Sequence, residues 1–203
     1  MGGEGFEIEK ISFKPHACCR FNQTSIDAAL ELCSEHSIDY RNIQSVTLEL
    51  TETGYYDVGH PPEVKFNPKN VVDGQFSAPY SVAIALLEGK AFLEEYSEEA
   101  IGRSDVRELM QKITVKHAPD LDKYFPEAWP ARLTVRMRDG KQVVKEVKYA
   151  KGDPENPLSL EEIIDKFAML VPHSLLGRDK QHQLIKRVLE LEKIRDTNTF
   201  LAL

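Results

Sequence analysis

The chain has 203 residues, 41% hydrophobic and 29% charged, an ordinary globular balance long enough for one domain with a real core, or for one domain plus a helical extension. Its net charge of −7, with no offsetting basic stripe, argues against nucleic acid as a partner and allows an anionic substrate only where bases gather locally. No apolar run approaches the roughly 20 residues that span a bilayer, the opening M-G-G-E-G lacks a secretory pattern, and three cysteines without C-x-x-C spacing fit a reduced, cytoplasmic protein with no membrane partner.

Phe6 to Lys14 alternates apolar and polar residues, which predicts a half-buried strand. A helix is expected from about Gln23 to His36, with Ile26, Ala29, Leu30 and Cys33 on one face and Thr24 or Asn22 as its cap. Ile43 to Thr51 is rich in β-branched residues and predicts a second strand. A loop with Gly54, Gly59, Pro61, Pro62 and Pro68 follows. Ser77 then caps a helix that carries Pro79 in its first turn, is apolar all round from Val82 to Leu87, and stops at Gly89; such a helix is deeply buried.

Ser104 caps a short helix, and Ile113 to Ala118 reads as a third strand. Ala131 to Gly152 reads as a hairpin turning at Asp139-Gly140. Ser159 with Glu162 spells a capping box, with Leu158 and Ile163 placed as a hydrophobic staple. A last helix, from about Asp179 to Arg195, has Leu184, Ile185, Val188, Leu191 and Ile194 on one face. The fold class is therefore α+β: an antiparallel or mixed sheet with helices packed on one face, followed by C-terminal helices. The expected division is residues 1–152 and 153–203.

Two places invite a chemical reading. Lys14 and Arg20 flank a turn at a helix N-terminus; this is either a solvated connection or an anion site built on backbone N–H groups and the helix dipole. Cys18 and Cys19 within it lack metal-ligand spacing, and His16 has no evident partner in sequence. Tyr80, beside Pro79, is either a core tyrosine with its hydroxyl on backbone or a hydroxyl held at the positive end of a helix, ready to donate to a bound anion. The remaining histidines are scattered without H-x-x-x-H spacing, so no metal site is expected. Phosphate-loop, dinucleotide and serine-hydrolase motifs are absent.

Three stretches, K-P-H-A-C-C-R, V-V-D-G-Q-F-S-A-P-Y-S-V-A and G-D-P-E-N-P with the later K-F, resemble in order and spacing the K-P-Y-P-C-C-R, A-Q-F-S-L-P-Y-A-V-A and G-D-P-E-N-P segments of the MmgE/PrpD family. The resemblance covers nearly the whole chain. It implies the family's smaller α+β lid domain plus the C-terminal helices that return to pack on a large helical domain, which has no counterpart here. It also implies chemistry next to a carboxylate on di- or tricarboxylic acids, as in 2-methylcitrate dehydratases, cis-aconitate decarboxylases and iminodisuccinate epimerases, without a cofactor.

Carried over residue by residue, Lys14 takes the family's active-site lysine position and Tyr80 its active-site tyrosine position, both as catalytic groups. Cys19 falls at a substrate-binding position that is histidine in some members, and Arg20 is expected to help hold the anion. His16-Ala17 departs from the usual aromatic-proline pair, and Gln23 stands where many members have histidine. The expected function is the C-terminal part of a lyase performing 2-methylcitrate-dehydratase-like elimination on a small polycarboxylate. A separate helical chain completes it, and the isolated chain is expected to be inactive. The alternative is a non-catalytic relic or association domain that binds small carboxylates weakly. An uncovered apolar helix face also favours a homo-oligomer.

Overall fold

Ile43 to Leu50 has the alternation a half-buried strand needs, and forms β1 (Ile43–Leu50) inside a four-stranded sheet of order β2-β1-β3-β4. Its neighbours are β2 (Ile113–His117), parallel with Val46 opposite Ile113, and β3 (Ala131–Met137), antiparallel with Leu48 opposite Leu133. β4 (Gln142–Val147) returns from β3 through the Asp139-Gly140 turn, where Gly140 takes a φ of +89° that side chains resist. The sheet is thus mixed. The structure, a computed structural model, describes residues 5–196 apart from the Arg178 side chain, so the opening residues read above for a leader lie outside it.

One sheet face is apolar and buried through Val46, Leu48, Leu50, Leu133, Val135 and Val143. The other is polar, with Arg132 bridging Glu49 at 3.6 Å and Glu146 at 2.8 Å across adjacent strands. The apolar face is covered by helices. α1 (Arg20–His36) lies against β3 and β4, and its residues Asn22 to Ala29 are all buried. The parallel β1–β2 pair requires a crossover. It comprises α2 (Glu52–Gly54), a π turn (Tyr55–Gly59), α3 (Pro62–Lys65), α4 (Val71–Gln75), α5 (Ala78–Glu88), α6 (Glu98–Gly102) and α7 (Ser104–Met110).

α5 packs against α1, α7 and β2, which explains why Ala78 through Leu86 are all buried. Both of its ends are locally specified. The Ser77 hydroxyl accepts from the Tyr80 N–H at 3.1 Å and donates to the Lys65 carbonyl at 2.5 Å. Gly89, at φ +68°, donates back to the Ala85 carbonyl at 3.0 Å.

Several expectations are corrected. Phe6 to Lys14 forms no strand: Glu7–Lys10 is a 3-10 turn, and Phe6, Ile8, Ile11 and Phe13 are exposed. Alternation supplies a face, but a strand also needs a ladder, and Phe13 contributes a single backbone bond, to the Gly152 carbonyl at 2.8 Å. α1 starts at Arg20 rather than Gln23, because Asn22 and Thr24 turn inward instead of capping. The expected loop after β1 is largely short helices. Ser104 is the first residue of α7 rather than its cap.

By contacts the chain divides into two compact units, Met1–Pro157 and Leu158–Leu203. The G-D-P-E-N-P segment belongs with the first, through Phe13 and Arg20. The second holds α8 (Leu160–Leu170) and α9 (Arg178–Leu189), followed by a 3-10 turn over Leu191–Lys193 where a longer helix was expected. Ser159 and Glu162 complete the capping box, the Glu162 N–H donating to Ser159 Oγ at 3.1 Å and the Ser159 N–H to Glu162 Oε2 at 2.7 Å. Among the described residues no helix is long and apolar enough to cross a membrane.

Candidate functional site

Residues 13–19 run as a loop onto the start of α1, and almost every turn of that loop is held by a named group. The Ala17 N–H donates to the Ala91 carbonyl at 3.2 Å and the Cys19 N–H to the Gln75 carbonyl at 2.9 Å. Gln23, fully buried one turn into α1, is the hub. Its Oε1 accepts from the His16 N–H at 3.1 Å, and its Nε2 faces the carbonyls of His16, Cys18 and Cys19 at 3.2, 3.3 and 3.4 Å. A flexible lysine or a bulky aromatic at position 23 could not serve these four loop atoms at once, because neither carries both an acceptor and a donor on one buried amide.

The other two motifs close on the same place. Gln75, ahead of the F-S-A-P-Y stretch, donates from Nε2 to the Ala17 carbonyl at 2.8 Å, while its own carbonyl receives Asn22 Nδ2 at 3.1 Å. From the G-D-P-E-N-P stretch, Asp153 is the ion-pair partner of Arg20 and accepts from the Ala150 N–H at 3.0 Å. Next to it the Lys151 N–H donates to Asp27 Oδ2 at 2.8 Å. Three segments far apart in sequence therefore meet around the first turns of α1.

Lys14 is exposed, and its Nζ donates to the Cys18 carbonyl at 3.1 Å, which curls the ammonium back over the loop. Charge balancing suits that position. Burial of the lysine, which proton transfer would call for, is not supplied by this loop. Arg20 is half-buried; its guanidinium pairs with Asp153 and lies 5.2 Å over the Trp129 ring, which itself stacks on Phe21 at 4.3 Å. Cys19 donates its thiol to Asp57 Oδ2 at 3.2 Å, and Asp57 stands in the π turn, whose backbone is fastened by Lys65 Nζ to the Asp57 carbonyl at 2.6 Å. Burial, with the Asp57 carboxylate adding to it, pushes the Cys19 thiol up to about 11. At neutral pH it is a neutral donor rather than a nucleophilic thiolate. Burial pushes Cys18 up to about 12.

Tyr80 is placed differently. Its side chain is 0% exposed, its hydroxyl donates to the Glu95 carbonyl at 2.6 Å, and its ring sits 5.6 Å from that of Tyr96. Burial drives its pKa well up. Of the two uses open to it, the structure displays the core tyrosine on a backbone carbonyl. Lys14, Cys19 and Arg20 thus share the mouth of α1, with Tyr80 behind it in the α5 layer.

Sequence reasoning missed two participants. His16 does have a partner, Asp27 Oδ1 at 2.8 Å, and both side chains are nearly buried. Asp27 lies seven residues after Arg20 and four after Gln23, on the same face of α1, so helical spacing was the available signal. Asp57 carried no signal, because it reaches Cys19 only through the π turn. Among the described residues no group of three or more His, Cys, Asp or Glu side chains could hold a metal ion. A cavity of about 550 Å³, lined by His36, Asp39, Arg138 and Lys141 among others, lies at the opposite end of α1 from Lys14.

Comparison with known proteins adds to this geometry. Residues 16–191 match the family model described as the MmgE/PrpD C-terminal domain. A cis-aconitate decarboxylase of Aspergillus terreus is 25% identical over 200 residues, covering 95% of this chain and 40% of that protein. Cis-aconitate decarboxylases of Mus musculus and Homo sapiens are 26% and 27% identical over 136 residues, 67% of this chain and 28% of theirs. The chain spans at most 40% of the length of these curated relatives.

Proposed function

The chain belongs to the MmgE/PrpD family, and from that premise we propose that it is the C-terminal part of a lyase acting on a small di- or tricarboxylic acid, needing a helical partner chain for turnover. The observation that carries this reading is the meeting of the three motif segments at the mouth of α1, with the Lys14 ammonium exposed over it.

The chemistry asked of the site is stabilisation of negative charge. Removal of a proton from carbon next to a carboxylate pushes an electron pair onto the carboxylate oxygens; the pair then returns to expel a β-leaving group. Loss of carbon dioxide from such an acid leaves a comparable carbanion. In either case an ammonium beside the carboxylate lowers the barrier by offsetting charge that grows in the transition state. Lys14 takes that role, and the Cys19 thiol, held neutral on Asp57 Oδ2, donates to the anion only if it leaves that carboxylate. Arg20 contributes to the positive rim while paired with Asp153. The base comes from the partner chain. Tyr80 acts on substrate only if its hydroxyl leaves the Glu95 carbonyl.

The test is turnover of 2-methylcitrate, citrate and cis-aconitate by this chain, alone and combined with a helical-domain chain of the family. Activity is expected only in combination, and Lys14→Met is expected to abolish it while leaving the thermal unfolding midpoint unchanged, since Lys14 is exposed. Full turnover by Lys14→Met removes Lys14 from the mechanism. The second reading, a non-catalytic domain that binds carboxylates weakly, draws on the Arg20–Asp153 pair and the buried Tyr80 hydroxyl. Absence of turnover in every combination, with millimolar binding of tricarboxylate, selects it.

A further inference from the structure

A ring of contacts leaves the candidate site at Cys19 and returns to it. The Cys19 N–H donates to the Gln75 carbonyl at 2.9 Å. The next carbonyl, that of Phe76, accepts from Lys65 Nζ at 2.9 Å, and the same ammonium reaches the Asp57 carbonyl at 2.6 Å. The Asp57 carboxylate in turn accepts the Cys19 thiol at 3.2 Å. Lys65 is also tied in through its backbone, its carbonyl accepting from Ser77 Oγ at 2.5 Å. One residue therefore joins the π turn over Tyr55–Gly59 to the entry of α5.

The two ends of that π turn are fixed by the fold. At its start the Tyr55 N–H donates to the Thr51 carbonyl at 2.8 Å. At its end Val58 is fully buried, and a Cβ on Gly59 would stand 2.8 Å from Val115 Cγ1, so the backbone lies close against β2. Asp57, between these points, is exposed, and among the described residues its carboxylate has Cys19 as its side-chain partner. A thiol is a weak donor and cannot by itself hold an exposed carboxylate in place. An ammonium carries three donors and no acceptor, so it can bridge two carbonyls from separate segments. Its charge makes each of those bonds about twice as strong as a neutral one. Among the described residues no carboxylate pairs with Lys65, so its donors stay on the two carbonyls.

We propose that Lys65 is a positioning residue of the candidate site: its ammonium latches the π turn to the start of α5 and thereby keeps the Asp57 carboxylate on the Cys19 thiol. With the latch in place the thiol is committed to Asp57 and withheld from a bound anion. With the latch removed, Asp57 is free to leave, and Cys19 is released both as a donor and as a nucleophile. The consequence for substrate rests on the lyase reading. The state of the thiol does not, and it is measured without substrate or partner chain, so a failed latch and a failed lyase give different results.

Alkylation of the full chain by iodoacetamide at about pH 8, with the label on each cysteine located by peptide fragmentation, tests it. Lys65→Met keeps an unbranched stem and removes the charge and the donors. It should raise the Cys19 rate at least about threefold, because the carboxylate no longer sits on the thiol, while Cys33, half-buried further along α1, keeps its rate. In an Asp57→Asn chain the same Lys65→Met should change the Cys19 rate by less than about 1.5-fold, since the latch acts through that carboxylate. Should Lys65→Met alter the circular dichroism spectrum, Lys65→Gln, which loses the charge and keeps an amide donor, replaces it with the same direction expected. An unchanged Cys19 rate, an equal acceleration of Cys19 and Cys33, or a full acceleration in the Asp57→Asn background overturns the proposal.

Discussion

Gln23 is the residue on which the candidate site depends most. Its buried amide serves His16, Cys18 and Cys19 at once, and the Cys18 carbonyl it meets is the one that also receives Lys14. Gln23→Leu keeps the size and strips the donors, leaving buried loop carbonyls without their partner. The expected loss is about 2–3 kcal/mol in urea unfolding, together with a looser Lys14. The thiols make a second prediction at this scale. Both fold into surroundings that raise their pKa from the ordinary value of 9.0, to about 12 for Cys18 and about 11 for Cys19, chiefly by burial. The native state therefore holds these protons more tightly than the unfolded chain. That contribution is complete below pH 9 and is lost as pH rises through about 11 and 12. Thermal midpoints should fall between pH 9 and 11, less steeply in Cys19→Ser. Asp57→Asn removes a carboxylate that raises the Cys19 pKa, so alkylation of Cys19 at pH 8 should speed up; an unchanged rate would separate Asp57 from the thiol. That Lys14, Cys19 and Arg20 lie together was legible, since seven residues span them. That Arg20 pairs with Asp153, 133 positions away, was not.

At the scale of the element, three helix boundaries decided within one turn were legible, while the caps expected for α1 and α7 were not. Ser77, Gly89 and the Ser159–Glu162 box act where the sequence pattern places them, because a cap involves residues within about four positions of each other. Ser77 does more than cap. Its hydroxyl also donates to the Lys65 carbonyl, joining α3 to α5 inside the core. Ser77→Ala is expected to cost about 1–2 kcal/mol, read as a lower urea midpoint, and a neutral result would reduce this hydroxyl to decoration. Phe6 to Lys14 marks the limit of local pattern. Its alternation is real, but strand formation depends on a pairing neighbour, and no pattern inside nine residues supplies one.

At the scale of the whole molecule, the division after Pro157 makes its own prediction. The Arg20–Asp153 pair, the Phe13–Gly152 bond and the Asp27–Lys151 bond all lie within the first unit. A chain ending at Pro157 should therefore fold cooperatively, with near-native circular dichroism and a thermal midpoint within a few degrees of the full chain. Ending it at Gly152 instead deletes Asp153, strands the half-buried Arg20 guanidinium, and is expected to lower that midpoint clearly.

By itself the sequence determined the α+β class, the caps at Ser77, Gly89 and Ser159, the β3–β4 hairpin, the burial of α5 and the membership of the family, because periodicity, capping and turn chemistry act over a few residues and three separate motifs stand in order. Only the tertiary structure decided that β1 and β2 run parallel, that Tyr80 spends its hydroxyl on Glu95, that Cys19 meets Asp57, and that the three motifs surround one helix start. Each of those is a contact between residues far apart in the chain. Its energy depends on which groups folding brings within about 3 Å of one another, a distance that no local pattern encodes.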